Sequence, residues 1–393
     1  MDTARETELG KRPVLLPILV LVSIVAIAAI VLQMLPAQLD GSAGADLAED
    51  YASARDLHEG RDPFAPGLPD SMRRHIGPRP NGNFPEQLAN PHPPALVAVQ
   101  VPVAKLPWDI VRVGWLLASI GAIALSCFVV AVRFGFDPLT AISVALIVLA
   151  LPMTEDALFN GTIEPLLLPL FVGAWFALGQ GRERRAGLFL GLAIALKLYP
   201  IFFALALVRR HRKALFWSLA GATVFFLAGS LITLTSPLHA LAVSRHNIEI
   251  WGTATLNVGL PAFFIQLFDG LNKALPSWAS VVYVAMLGAG VMWVVGGRRD
   301  LWGAAPALVF APICWNSYFL FAVPALIRQV RTRVPAALLI ATTIALGISW
   351  RLPIYDATIN TLGPLLLMIG EARSQDAAPA LLSPGAAGTL RSH

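Results

Sequence analysis

The sequence predicts an all-α polytopic membrane protein with about twelve membrane segments, and three observations carry that expectation. Of its 393 residues, 56% are hydrophobic and only 13% charged, whereas a soluble domain carries roughly 25% charged residues. Apolar runs long enough to cross a hydrocarbon core of about 30 Å recur along the chain. The basic residues stand in short clusters between those runs, as in cytoplasmic loops, so the net charge of +5 does not point to nucleic acid. Cys127 and Cys314 lie inside apolar runs without metal-ligand spacing and read as small core residues.

Lys11 and Arg12 precede the first apolar run, residues 14–35, which is too long for a signal-peptide core and reads as a membrane helix with a cytoplasmic N-terminus. Residues 36–107 then form a large external loop. It holds nine of the 24 acidic residues and is rich in Pro and Gly, the composition of a functional loop or small cap. Residues 108–132, 138–153 and 163–178 cross in turn and return the chain to the cytoplasm at Arg182, Arg184 and Arg185.

The stretch 186–208 has basic clusters at both ends, with Arg209, Arg210, Arg212 and Lys213 following it. A single crossing violates the charge rule, and a lysine at mid-membrane, Lys197, costs on the order of 3 kcal/mol. A hairpin of two short helices turning at 197–200, where Pro200 interrupts the helix, removes both objections. Residues 301–327 repeat the pattern between Arg298, Arg299 and Arg328, Arg331, Arg333, and predict a second short-helix hairpin. Residues 215–234 and 278–295 cross between the hairpins, leaving 235–277 as a second external loop with 256–271 at the interface. Residues 335–348 and 358–369 complete a single membrane domain over 1–370, and 371–393 read as a disordered cytoplasmic tail. One half does not repeat in the other, which weighs against transporter folds built from repeated halves.

The chemistry-bearing groups fall in the external loops and hairpin turns. Asp46, Asp50 and Tyr51 follow the first helix, where a carboxylate can act as a base or simply form a solvated acidic face. Lys197, at membrane depth, suits a lipid phosphate or snorkels to the interface. Glu164 starts a membrane helix and is either a site residue or a favourable charge at the helix N-terminus. His92, His246, Asn247, Trp315, Asn316 and Tyr318 stand at depths suited to lining a sugar site, although a histidine between prolines is often a surface group and Trp and Tyr are also interface anchors.

Together these stretches resemble glycosyltransferase family 87, polyprenyl-phosphate-sugar-dependent membrane transferases of the GT-C fold. Asp46-Leu-Ala-Glu-Asp50-Tyr51, followed by Gly60, Asp62, Pro63 and Phe64, is similar to the family's first external loop. His92-Pro-Pro94 resembles its Tyr-Pro-Pro element, Gly191 through Lys197 to Pro200 its Lys-x-x-Pro run, and Trp315-Asn-Ser-Tyr318 its late Trp-containing turn. Gly161-Thr-Ile-Glu164 departs from the family's Gly-Gln-x-Asn.

The resemblance implies an inverting transfer of a mannose- or arabinofuranose-like sugar from a polyprenyl-phosphate donor to a glycan or glycolipid acceptor. Asp46 would be the general base and Lys197 the donor-phosphate ligand, with no metal or other cofactor required. It further implies a multi-pass protein of the inner (plasma) membrane with a periplasmic or external active site. The competing expectations are a twelve-helix transporter or lipid flippase, and a noncatalytic membrane scaffold. The residues decide by convergence: Asp46 and Lys197 must share one cavity.

Overall fold

The computed structural model describes residues 39–77, 86–252, 257–269, 274–297 and 299–331, with scattered positions elsewhere. Among the described residues the chain is helical, without strands. The expected segments 14–35, 335–348 and 358–369 and the tail 371–393 lie wholly or largely outside them.

Among the described residues, three helices are long and apolar enough to cross a membrane by length and composition: Trp108–Arg133 (α4), Arg212–Ile232 (α10) and Ala279–Gly296, whose α-helical part Ala279–Val291 is α13. Leu117, Leu125, Phe216, Leu231, Val281 and Val284 on these helices are exposed. Such outward apolar surface suits lipid and would be a liability in water. A fourth span is counted if Pro138–Leu149 (α5) and Pro152–Asn160 (α6) are taken together. The straight crossing expected over 138–153 is corrected here, because α5 stops at Leu149 and the chain bends by 62° into the next helix. Pro152 is the cause: it keeps Leu151 extended (φ −71°, ψ 143°) and so ends the helix.

The stretch expected as the first external loop holds a folded cap of short helices, Ala45–His58 (α1), Leu68–Ile76 (α2) and Pro94–Gln100 (α3). On α1 the spacing i, i+3, i+4, i+7 puts Asp46, Glu49, Asp50 and Ser53 on one face. Leu47, Tyr51 and Ala54 on another face pack with Phe64, Val97 and Val111. Glycines dock the start of α1 on the end of α6. Gly44 N–H donates to Phe159 O (2.7 Å), and a Cβ on Gly161 would stand 3.0 Å from Leu47 Cβ.

After α7 (Glu164–Gly179), helix α8 (Glu183–Leu196) packs tightly on α10. A Cβ at Gly187 or Gly191 would meet Ala214 O at 2.4 Å or Ser218 O at 2.7 Å. Helix α8 breaks where the charge pattern requires, with Lys197 extended (φ −152°, ψ 129°) before the five-residue α9 (Ile201–Leu205). The basic flanks Arg182, Arg184, Arg185, Arg209, Arg210, Arg212 and Lys213 line one groove, so the chain turns back on itself. In the second hairpin, tight helical turns over Trp302–Phe310 and Asn316–Ala322 flank an irregular stretch and lead into α14 (Val323–Arg331). Arg328 Nη1 and Asp300 Oδ2, 2.5 Å apart, close its base. The core beneath both hairpins is aromatic, with Phe171 lying 4.6 Å from Phe203 and 4.5 Å from Phe321 between ring centroids. The expected second external loop contains two helices, Pro237–Trp251 (α11) and Leu260–Asp269 (α12).

Candidate active site

The cap, both hairpin turns and α11 enclose a cavity of about 610 Å³. Asp46, Glu49, His92, Asp156, Lys197, Tyr199, Asn247, Trp315 and Tyr318 contribute to its wall. Lys197 is presented by the break after α8: extended backbone there ends the helix and turns a buried ammonium into the cavity. Its Nζ donates to His92 Nε2 (2.9 Å) and stands 3.7 Å from Glu164 Oε1. An ammonium can only donate, so Nε2 is the acceptor, and the ring proton is assigned to Nδ1. Nδ1 then donates to Asp50 Oδ1 (2.9 Å).

Asn90 completes the chain by donating to Asp50 Oδ1 (3.2 Å) and accepting from the His92 backbone N–H (2.8 Å). The prolines on either side of His92 thus hold the imidazole between a carboxylate of the cap and the lysine of the hairpin. Such a buried array persists because each charge has a partner; removing one strands the rest at a cost of several kcal/mol.

Asp46 opens α1 on the same wall, half-buried. Burial pushes its carboxyl above the ordinary carboxylate range, while the nearby Lys197 charge opposes that rise. Glu164, fully buried at the start of α7, accepts from Tyr199 Oη (3.0 Å), and the Tyr199 ring stacks on Tyr318 with centroids 3.9 Å apart. The two hairpin turns are therefore joined through an aromatic pair that carries a carboxylate partner.

Other candidates fall elsewhere. Tyr51 lies outside the cavity wall, donating its hydroxyl to Leu106 O (2.9 Å) and packing on Trp108, so it anchors the cap. His246 is exposed beside Glu249, whereas its neighbour Asn247 faces the cavity. The Asn316 side chain lies outside the described part of the structure.

Asp156 and Asn90 are structural additions to the expected set. Asp156 is buried at the wall, accepting from Asn160 Nδ2 (2.7 Å) and from the Ser317 backbone N–H (2.9 Å), and so ties α6 to the second hairpin turn. A Pro ending an apolar run just before Thr154-Glu-Asp156 was the available signal for a buried acid at a helix break. For Asn90, its placement two residues before His92 between prolines was the only hint.

A helical membrane chain with buried carboxylates and a lysine drawn from distant segments into one cavity has the layout of an enzyme acting at the membrane. Residues 91–315 match the sequence model of glycosyltransferase family 87, and the chain belongs to that family. Lys197, His92, Asp156, Glu164, Asn247 and Trp315 fall in the matched stretch; Asp46 precedes it. Two relatives carry the same description, polyprenol-phosphate-mannose-dependent alpha-(1-2)-phosphatidylinositol mannoside mannosyltransferase. That of Mycolicibacterium smegmatis is 29% identical over 159 residues, 36% of this chain and 36% of the relative. That of Mycobacterium tuberculosis is 27% identical over 189 residues, 45% of this chain and 43% of the relative. The match thus spans less than half the length of either relative.

Proposed function

We propose that this chain transfers a sugar, mannose- or arabinofuranose-like, from a polyprenyl-phosphate donor to a glycan or glycolipid acceptor, with inversion at the anomeric carbon. The observation that carries the reading is convergence: Asp46 and Lys197, remote in sequence, line one cavity. Asp46 takes the acceptor hydroxyl proton as that oxygen attacks C1 and the bond from C1 to the phosphate oxygen breaks. Polyprenyl phosphate leaves with the bonding electron pair, and Lys197 neutralises the charge gathering on it. His92, held by Asp50, keeps the ammonium aimed. Asp50, His92, Glu164, Asn247, Trp315 and Tyr318 shape the substrate site in this reading. Tyr51 acts indirectly by anchoring α1.

Family membership and the printed descriptions of the two relatives support the donor class and a glycolipid acceptor. We further propose an inner (plasma) membrane location with the cavity on the periplasmic side. The basic groove lies at the start of α8 and Lys197 just past its end. The helix has 14 residues, which separates the two by about 21 Å. The positive-inside rule puts the groove in the cytoplasm and the cavity across the membrane.

The test is transfer from a panel of labelled polyprenyl-phosphate sugars by membranes holding equal amounts of wild type, Asp46→Asn or Lys197→Ala. Wild type should transfer one donor's sugar and Asp46→Asn should lose roughly 10²- to 10⁴-fold, the usual contribution of a general base. Transfer unaffected by Asp46→Asn would remove the base. Lipid movement across proteoliposomes in the absence of transfer would favour a flippase.

A further inference from the structure

Lys197, His92, Asp50 and Glu164 pair with one another at the cavity, but two uncharged groups on its wall have no partner among the described residues. Asn247 is 2% exposed and lines the cavity, yet neither polar atom of its amide meets a partner among the described residues. Thr162, 3% exposed and lining the same cavity, has a hydroxyl without a partner among the described residues. A buried polar group left unsatisfied costs about 1–3 kcal/mol, so folded proteins keep such groups chiefly where something outside the fold satisfies them.

Their surroundings indicate what that is. Ser244, Asn247 and Trp251 follow one another at helical spacing on α11 and all face the cavity. Trp251 meets Trp315 edge to face, with centroids 6.1 Å apart and planes at 77°. This stripe holds hydroxyls, an amide and two indoles without a formal charge. An amide offers donors and an acceptor side by side, which matches two neighbouring hydroxyls of a sugar ring. The indoles supply the apolar surface that a ring's C–H face covers.

We infer that Asn247, supported by Thr162 and the Trp251–Trp315 pair, reads the hydroxyls of an uncharged sugar ring and so determines which glycosyl group is accepted. The inference rests on the glycosyltransfer reading above and divides the cavity into two parts. Lys197 holds the phosphate, and the α11 stripe recognises the sugar. A site built to hydrogen-bond a hydroxyl rejects the analogue lacking it, because its own buried groups are then left unpaired.

Binding separates this inference from catalysis. Affinities would be measured for the full-length chain in detergent, in the slowed Asp46→Asn background and without acceptor. The probes are polyprenyl-phosphate mannose, its monodeoxy analogues and polyprenyl phosphate without a sugar. The expected result is at least about a ten-fold preference for the parent over one monodeoxy analogue. Adding Asn247→Ala should abolish that preference while leaving bare polyprenyl phosphate bound as before, which also shows that the variant folds. Lys197→Ala should do the reverse, weakening bare polyprenyl phosphate.

Equal loss for sugar-bearing and bare lipid in Asn247→Ala would assign the residue a structural role and overturn the inference. So would a parent protein that binds all analogues alike. Hydroxyl-selective binding without transfer by wild type would leave the sugar subsite standing and overturn only the catalytic reading.

Discussion

At the scale of single residues, the cavity assigns different work to groups of the same chemical type. Asp50 is held by Asn90 and His92 and serves as a brace, while Asp46, at the lip of the same helix face, has a carboxyl raised by burial. A raised carboxyl is a stronger base once ionised, and its protonation limits the rate in acid. The acid limb of kcat/KM is therefore expected above the usual carboxylate range near 4, with activity falling as pH drops through it. Lys197 opposes the rise, so residual activity in Lys197→Met should show the limb at still higher pH. A limb near 4 that does not move would mean that another group is the base.

The same scale shows what was readable in advance. Lys197 announced itself because a lysine amid apolar residues demands a reason. Asn247 and His246 could not be told apart, because only the rotational phase of α11 decides which faces the cavity. Tyr51 carried the family pattern yet serves the cap, since residues i+4 and i+5 from Asp46 point to different faces of α1.

At the scale of elements, charge flanks proved more informative than apolar length. Both hairpins were legible because a basic cluster at each end of an apolar run requires the chain to return, and the Asp300–Arg328 pair closes the second at its base. The α5–α6 bend is hidden in the hydropathy pattern because hydrophobicity continues through Leu151-Pro-Met153, and only the backbone restriction before Pro152 marks it.

The junction of α1 and α6 is where an element's placement should be felt as chemistry. Gly161 has φ +67°, and its missing Cβ leaves room for Leu47 and for Gly44 Cα, 3.2 Å from where that atom would lie. Gly161→Ala costs about 1–2 kcal/mol for the left-handed backbone and also pushes α1 away. It is expected to lower kcat by about 10²-fold, since a shift near 1 Å in a catalytic group can cost that much. Gly187→Ala makes a harder clash, 2.4 Å from Ala214 O, but ten residues from Lys197 along α8. It should lower the melting temperature at least as far while leaving kcat per folded molecule nearly unchanged. Rates and melting temperatures measured on both purified variants decide the matter; parallel losses would show that α1 needs no such docking.

At the scale of the whole molecule, the opposition between basic groove and acidic cavity makes a statement about sidedness. Cationic side chains gather where α8 and α10 begin, and the carboxylates, His92 and Lys197 gather past the far end of α8. On the proposed orientation, a donor sugar that reaches the cavity is presented on the side away from the cytoplasm, which fits a lipid carrier better than a soluble nucleotide sugar. Cysteine labelling tests this arrangement cleanly, because the native Cys127 and Cys314 are both buried. Ala65→Cys, exposed in the cap, should react with a membrane-impermeant maleimide in intact spheroplasts. Gln180→Cys, exposed beside the basic groove, should react only after the membrane is opened. The opposite pattern would place the cavity in the cytoplasm and turn the search for a donor toward lipids charged on that leaflet, without changing the geometry that joins Asp46 to Lys197.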